Sequence, residues 1–440
     1  MVESTNTIRK KGRPVYLVDG SRSPFLKVRG GPGPFKAADL AVAAARPLLL
    51  RQPFERDAFD EVILGCITPA PDEVNIGRVV SLRLGIGEQV PAWTVQRNCA
   101  SGLQALDSAW RNVAYGYSDL VLAGGVEAMS HAPVLWRESM VQWLADWSRA
   151  KSLGQRMKAL SRIRPGFFAP VIGLLKGLSD PVVGLSMGQT AENLAWRFGI
   201  SREQMDAYSV ESHKRLAHAQ DSGLLDEVEP IYDTQGGGHD RDDGVRPDSS
   251  LEALARLKPV FDKPFGHITA GNSAQITDGA AWLIVASETA VESLGLEPLG
   301  RIVDTQWAAL DPAQMGLGPV HAVAPLLERQ RLAADQIDYW ELNEAFAVQV
   351  LACLAAFRDD EYCRKELGLQ QAVGGIPLDR LNVDGGGISL GHPVGASGAR
   401  LVLHLLHVLR RNRARYGVAT LCIGGGQGGA MLVENVAAGE

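Results

Sequence analysis

Cys99 stands in the run Gln96-Arg97-Asn98-Cys99-Ala100-Ser101-Gly102-Leu103, where a thiol can serve as a nucleophile. Leu103, Leu106, Trp110 and Val113 recur at helical spacing, so Cys99 falls at a helix start. The positive end of a helix favours a thiolate, and that is the expectation for Cys99. A small cysteine packed behind the helix is the competing reading. His392 lies in the glycine-dense segment Asn382 to Gly398, directly before Pro393 and a second helix start. Glycines allow close approach of backbone to a ligand, and this setting can turn an imidazole into a cleft. A Walker-type phosphate loop is excluded because no Lys-Ser/Thr follows the glycines. Dinucleotide binding is excluded because no acidic residue closes a suitable βαβ unit. Cys422 precedes Gly424-Gly425-Gly426 at a strand end, and amides of such a turn can donate to an oxyanion. Asn343, in Asn343-Glu344-Ala345-Phe346-Ala347, reads either as a helix N-cap or as a polar site group. Cys353 and Cys363 carry no assigned chemistry, and Cys66 reads as strand-end packing.

The elements that must position these residues alternate in type. Val15 to Val18 reads as a strand, Phe35 to Leu50 as a helix and Phe59 to Gly65 as a strand. After the Cys99 helix, the run Leu120 to Ala123 reads as a strand ending at Gly124-Gly125. The alternation predicts mostly parallel sheets covered by helices. The same order returns near the C-terminus. Ala396-Ser397-Gly398 opens a helix carrying Leu401, Leu405, Leu406 and Leu409, and Val418 to Ile423 is a strand ending in glycines. Asn343 and Glu344 follow the strand-like Ile337 to Leu342 and are expected to open a helix. This points to an internal duplication, with Cys99 and His392 each beside a helix N-terminus in its own half.

A different kind of sequence separates the halves. Residues 149, 151, 156, 158, 162 and 164 are Lys or Arg, with no acid from Arg149 to Arg164. Trp136, Trp143 and Trp147 precede this stretch, and an apolar run from Phe167 to Leu175 follows. Such a mixture suits a membrane surface, a partner protein or an anionic ligand, or a solvated hairpin packed on its own domain. Gln235 to Gly244 reads as a polar surface loop without calcium-ligand spacing.

Composition sets the outer bounds. The chain has 440 residues, 46% hydrophobic and 21% charged, enough for two or three domains with large cores. A net charge of −6 gives no reason to expect nucleic-acid binding. Five scattered cysteines without a CxxC pair argue against a disulfide framework or zinc cage and for a reducing compartment. Met1 to Lys11 is polar and basic, unlike a secretory leader, and no apolar run is of spanning length. The expected location is cytoplasmic.

Taken with Gly184 to Asn193, Leu257 to Phe261, Ala270-Gly271-Asn272 and Asp278 to Ala281, the motifs resemble the thiolase family over nearly the whole chain. The basic stretch with Arg156-Met157-Lys158-Ala159-Leu160-Ser161-Arg162 is most similar to the β-subunits of fatty-acid oxidation complexes. The resemblance implies ping-pong acyl transfer with coenzyme A and acyl-CoA as substrates and no bound cofactor or metal. Cys99 would take the acyl group, and His392, with an imidazole near its native pKa, would accept its proton. Cys422 would be the second acid/base. Asn343 would hold a water that completes one oxyanion hole with His392, and the amides of Cys99 and Gly424 would form the other. Met187, Ser273 and Phe346 would contact CoA. Three positions depart from the pattern. Ser186 replaces the histidine of short-chain biosynthetic relatives, Asn343 replaces the histidine usual in oxidation-complex subunits, and Ser273-Ala274 inverts a familiar order.

The expected architecture is therefore an α/β thiolase fold, a duplicated five-layer αβαβα arrangement with an inserted loop domain. Residues 1–130 with 268–296 would form one half and 297–440 the other. Residues 131–267 would form the loop domain, with its basic insertion at 149–176. The expected reaction is thiolysis of 3-ketoacyl-CoA, with condensation of two acetyl-CoA molecules as the alternative. A non-catalytic acyl-CoA-binding scaffold is the alternative of another class. A homodimer or homotetramer is expected. Peripheral membrane association, or an oxidation-complex partner, would come through 149–176.

Overall fold

A computed structural model describes residues 12–439, so the reading of Met1 to Lys11 lies outside the described residues. The strands that carry the site are β1 (Val15–Arg22), β2 (Glu61–Gly65), β3 (Ala92–Val95), β4 (Leu120–Ala128) and β5 (Thr277–Ser287) in the first half. Those of the second half are β6 (Gly300–Ala309), β7 (Tyr339–Leu342), β8 (Tyr416–Ile423) and β9 (Gln427–Glu434). They lie in the order β7-β8-β9-β6-β1-β5-β4-β2-β3. Within the sheet the two halves join where Tyr16 and Leu17 of β1 pair with Arg301 and Gly300 of β6.

Side chains alternate across each strand, and the alternation sorts the core into layers. Val62, Leu64, Leu122, Trp282 and Ile284 pack outward under α1 (Ala37–Leu50) and α2 (Ile76–Arg83). Ile63, Val121, Ala123, Leu283 and Val285 face inward onto α3 (Ser101–Ala114). In the second half Ala419, Leu421, Met431 and Val433 join that same inner cluster. Val418, Cys422, Ala430 and Leu432 turn the other way. They meet α8 (Gly318–Gln330) and α9 (Ala347–Arg358). The inner layer is completed by α10 (Ser397–Arg411), in which Leu401, Leu403, Leu405, Leu406 and Leu409 are buried. Helix, sheet, helix, sheet, helix: the five expected layers follow from period-two alternation on two half-sheets sharing one pair of helices.

The shared helices touch at their starts. A Cβ on Gly102 would meet Gly395 O at 2.8 Å and Ala399 N at 2.9 Å, and one on Gly398 would meet Leu103 N at 2.4 Å. Each Ala-Ser-Gly therefore lets its helix approach the other, a reciprocal contact that brings Cys99 and His392 together.

Four expectations need correction. The sheet is mixed rather than mostly parallel: only β2–β3, β2–β4 and β7–β8 are parallel. Hairpin and long-range antiparallel pairings of β5, β6 and β9 outnumber them. The strand read as ending at Gly124-Gly125 runs on to Ala128, because β5 pairs with it through Asp278. The helix expected to open at Asn343 begins at Ala347, with Phe346 at its N-cap, so Asn343 caps nothing there.

The polar loop Gln235 to Gly244 is not all surface. Asp242 is buried, and Arg22 donates to both of its oxygens at 2.7 and 2.8 Å. Arg22 also reaches Glu227 at 3.3 Å, which pins the loop to β1. The basic insertion, with the segment that leads into it, forms α4 (Glu138–Arg149), α5 (Leu153–Leu160) and short helical turns after them. Within it Trp143 and Trp147 stack at 5.8 Å, and Trp143 Nε1 donates to Ala159 O at 2.8 Å. Leu153, Met157, Leu160, Phe168 and Leu175 remain exposed. Among the described residues no helix is long and apolar enough to cross a membrane.

Candidate active site

One cavity of about 380 Å³ is lined by Cys99, His392 and Cys422 together with Met187, Ser273, Phe346, Phe261 and Met315. Two halves of the chain thus supply one thiol each, and the second half the imidazole. Cys99 precedes α3, whose N-cap is Ala100. Asn98 adopts a left-handed backbone (φ 43°), which asparagine tolerates better than most residues. Its Nδ2 donates to Gly424 O at 2.9 Å, tying the turn after β8 to the Cys99 loop. The amides of Gly424 and of Cys99 itself donate to the Cys99 sulfur. Two N–H groups therefore lie beside the sulfur that would carry an acyl group.

His392 is aimed by its neighbours. Gly391 has φ 105°, and a Cβ there would strike Thr277 Cγ2 at 2.2 Å, so only glycine fits. The His392 amide donates to Gln275 O at 3.0 Å. Ser397 Oγ donates to Pro393 O at 3.1 Å and so accepts from His392 Nδ1 at 2.6 Å. That bonding assigns the proton to Nδ1 and leaves Nε2 as a free base. Asn343 Nδ2 lies 3.5 Å from that Nε2. Asn343 is fully buried, and its amide donates to Thr420 O at 3.0 Å. The adjacent Glu344 accepts from Tyr208 Oη at 2.8 Å, Ser212 Oγ at 2.7 Å and Asn382 Nδ2 at 3.0 Å. This buttress fixes the Asn343 loop.

Electrostatics correct two expectations. Burial pushes the Cys99 thiol up, and this outweighs the Gly424 and Cys99 amides that favour the thiolate. The helix start alone does not ionise it. His392 is pushed down to about 4 by burial, with Arg400 adding to the shift, rather than sitting near its native value. The resting pair is a neutral thiol beside a neutral imidazole. Burial, then Cys99 and Cys353, hold the Cys422 thiol well above its ordinary range, so Cys422 rests as an acid with a proton to give.

Residues 15–289 match the thiolase N-terminal domain, and residues 296–435 match the thiolase C-terminal domain. The chain belongs to the thiolase family. It is 38% identical over 434 residues to the mitochondrial trifunctional enzyme subunit beta of Bos taurus, covering 98% of this chain and 90% of that protein. It is 35% identical over 440 residues to the 3-ketoacyl-CoA thiolase of Serratia proteamaculans (strain 568), covering 99% and 100%. A crystal structure of human mitochondrial 3-ketoacyl-CoA thiolase in complex with CoA superposes with a TM-score of 0.82 at 36% identity, covering 96% of this chain and 98% of that one. The Bacillus anthracis acetyl-CoA acetyltransferase gives 0.84 at 34% identity, covering 97% and 100%.

In this thiolase all the expected site residues gather at one place. Cys99, His392, Cys422, Met187, Ser273 and Phe346 line the cavity, while Asn343 and Gly424 reach it through His392 and Cys99. Cys66 is buried just beyond β2, and Cys353 donates to Gly316 O at 3.2 Å within α9. Neither lines the cavity. Sequence reasoning missed Asn98 and Ser397, although an asparagine beside a nucleophile and the serine of the repeated Ala-Ser-Gly were both visible. It also missed Lys27 and Arg246, which line the same cavity from segments remote in sequence. Among the described residues no group of His, Cys, Asp or Glu could hold a metal ion.

Proposed function

We propose that this acyltransferase performs thiolysis of 3-ketoacyl-CoA, the chain-shortening step of fatty-acid β-oxidation, and the two-thiol, one-imidazole cavity carries that reading. Cys99 gives its proton to His392 Nε2 and attacks the C3 ketone. The resulting oxyanion is held by one of the two donor sets, and its collapse breaks the C2–C3 bond. Cys422 protonates C2 of the departing acetyl-CoA, leaving the shortened acyl group on Cys99. A CoA thiol, losing its proton to a base of the site, then attacks this thioester and frees Cys99. Negative charge develops on oxygen in both halves. Two donor sets serve that need: Asn343 with a water and His392, and the Cys99 and Gly424 amides. Met187, Ser273 and Phe346 line the path of CoA and acyl chain. The names of the curated relatives support the thiolytic direction. Condensation of two acetyl-CoA molecules uses the same residues in reverse, and the acetyltransferase neighbour supports it as the second reading.

Turnover against 3-ketoacyl-CoAs of increasing length tests the direction and substrate. Turnover confined to the four-carbon substrate would favour the condensing enzyme. Cys422→Ser is expected to slow C–C cleavage far more than acylation of Cys99 by acyl-CoA, measured by intact-protein mass spectrometry. Equal loss of both steps breaks the division of roles.

The same reading extends to assembly and location. We take 131–267 as the inserted loop domain between halves 1–130 with 268–296 and 297–440. Among the described residues strand β3 pairs only with β2, and this edge, close in sequence to Cys99, supports a homodimer or homotetramer. Five free cysteines support a cytoplasmic setting. The exposed apolar and basic side chains of 149–176 support docking on a membrane surface, with a partner subunit as the other occupant. Neutralising Arg156, Lys158, Arg162 and Arg164 is expected to abolish sedimentation with anionic vesicles. Unchanged sedimentation rejects the membrane role.

A further inference from the structure

The strand that leads to Asn343 and the helix that follows His392 meet a second time, behind the site. Glu341 of β7 and Arg400 of α10 are each 2% exposed, and Arg400 Nη1 donates to Glu341 Oε2 at 2.6 Å. Neither lines the cavity. Their places in the chain nevertheless tie them to residues that serve it. The Asn343 amide donates to Thr420 O, so the β7–β8 ladder runs one residue past Leu342. Side chains alternate along it. Trp340 and Leu342 enter the cluster under α8 and α9, and Glu341 and Asn343 share the opposite face. On α10, Arg400 follows Ser397 by three residues, the spacing of one helical face. Ser397 Oγ accepts from His392 Nδ1 at 2.6 Å. The strand thus meets the helix region twice: Asn343 lies 3.5 Å from the imidazole, and Glu341 holds the guanidinium.

Depth makes this second contact sharp. Burial raises the Glu341 carboxyl, Arg400 and His404 oppose the rise, and Asp384 adds to it. An ion pair so deep adds little net stability over apolar side chains of equal volume, yet displacing either partner strands a charge. The pair therefore resists slippage of β7 along α10 more than it strengthens the fold. Asn343 depends on that register. Among the described residues its buried Oδ1 meets no hydrogen-bond donor, so the strand rather than its own carbonyl sets its place. Arg400 also acts through its charge, which adds to the burial that pushes His392 down to about 4. The other groups around the imidazole are Ser397, Asn343 and the thiols of Cys99 and Cys422, all neutral at rest.

Building on the thiolase reading, we infer that Glu341 and Arg400 are positioning residues for the reaction. Their ion pair sets the separation of Asn343 from His392, and with it the donor set that receives the oxyanion.

Steady-state thiolysis by wild type, Glu341→Leu/Arg400→Met and Arg400→Lys tests this, with thermal melting to establish folding. The double variant replaces the pair by apolar side chains of similar size. Its kcat is expected to fall about tenfold, with KM for 3-ketoacyl-CoA and CoA within about twofold. With the cation gone, the acid limb of its kcat/KM profile moves up by about one pH unit. Arg400→Lys keeps the charge but lacks the planar fork, so kcat falls about fivefold and the acid limb stays at its wild-type position. A purely structural pair would lower the melting temperature and leave kcat per folded molecule unchanged. A folded double variant with kcat within about twofold of wild type, or with KM rising as far as kcat falls, overturns the inference. If the double variant does not fold, Arg400→Lys decides, and kcat within about twofold of wild type overturns it. Wild-type turnover of 3-ketoacyl-CoA with CoA tests the thiolase reading separately.

Discussion

Two histidines of the C-terminal half are buried alike and behave in opposite ways. His392 faces the cavity with Ser397 and Asn343, both neutral, and its imidazole is pushed down to about 4. His404, on α10, lies 2.9 Å from Glu227 and 3.1 Å from Asp384, and its imidazole is raised to about 10. Burial pushes both down. At His404 two carboxylates overcome it, and at His392 no acid opposes it. The first arrangement fixes a charge and fastens the loop carrying Glu227 to α10 and, through Arg22, to β1. The second leaves a base unprotonated in the cavity that it shares with the Cys99 thiol. The partners, rather than depth, separate a structural histidine from a reactive one.

The largest effect that sharpens this contrast is on rate. His392→Ala is expected to lower kcat/KM for thiolysis by about 10²–10⁴-fold, the span of a lost general base, with little change in the denaturant midpoint. Retention of more than about a tenth of wild-type activity would remove His392 from that role. His404→Ala is expected to do the reverse. Leaving Glu227 and Asp384 buried without their cation costs about 3–5 kcal/mol in urea unfolding, while activity per folded molecule persists.

Acidity separates the two sites next. An unfolded imidazole takes up its proton near pH 6.5, but native His392 does not until about 4. The stability His392 contributes is thus present above about pH 6.5 and is lost as pH falls through about 4. The acylation rate should show no inflection near pH 6.5 on this account. His404 runs the other way: its contribution is fully present below about pH 6.5 and is lost as pH rises through about 10. Unfolding free energies measured across pH for wild type and His404→Ala should converge toward the alkaline end, and parallel curves would break the comparison. The smallest effect is expected from Ser397→Ala. Releasing Nδ1 should reduce kcat about fivefold, equivalent to about 1 kcal/mol, with recovery in Ser397→Thr.

How far the sequence carried the site depends on the kind of signal. Cys99, His392 and Cys422 were legible because each sits in a local pattern of small residues and a helix start or glycine turn. The repeated Ala-Ser-Gly marked two related halves, and the structure adds that α3 and α10 touch at that repeat. Asn343 was ambiguous in the sequence, because an asparagine after a strand reads equally as a cap, and only the helix beginning at Ala347 resolves it. The parallel sheet was misread because strand–helix alternation is silent about β5, which returns after the long insertion to pair antiparallel with β1 and β4. Asp242 looked like a surface acid because its partner, Arg22, is far away in sequence.

The sequence by itself determined which side chains can do chemistry, where helices begin beside them, and that two related halves supply them. These properties depend on residue type and neighbours along the chain. Only the tertiary structure decided the charge state of those groups. Burial and partner charge come from distant segments, which is why a thiol placed at a helix start is still pushed up and why two buried histidines diverge. It also decided that Lys27 and Arg246, ordinary cations in the sequence, both line the catalytic cavity.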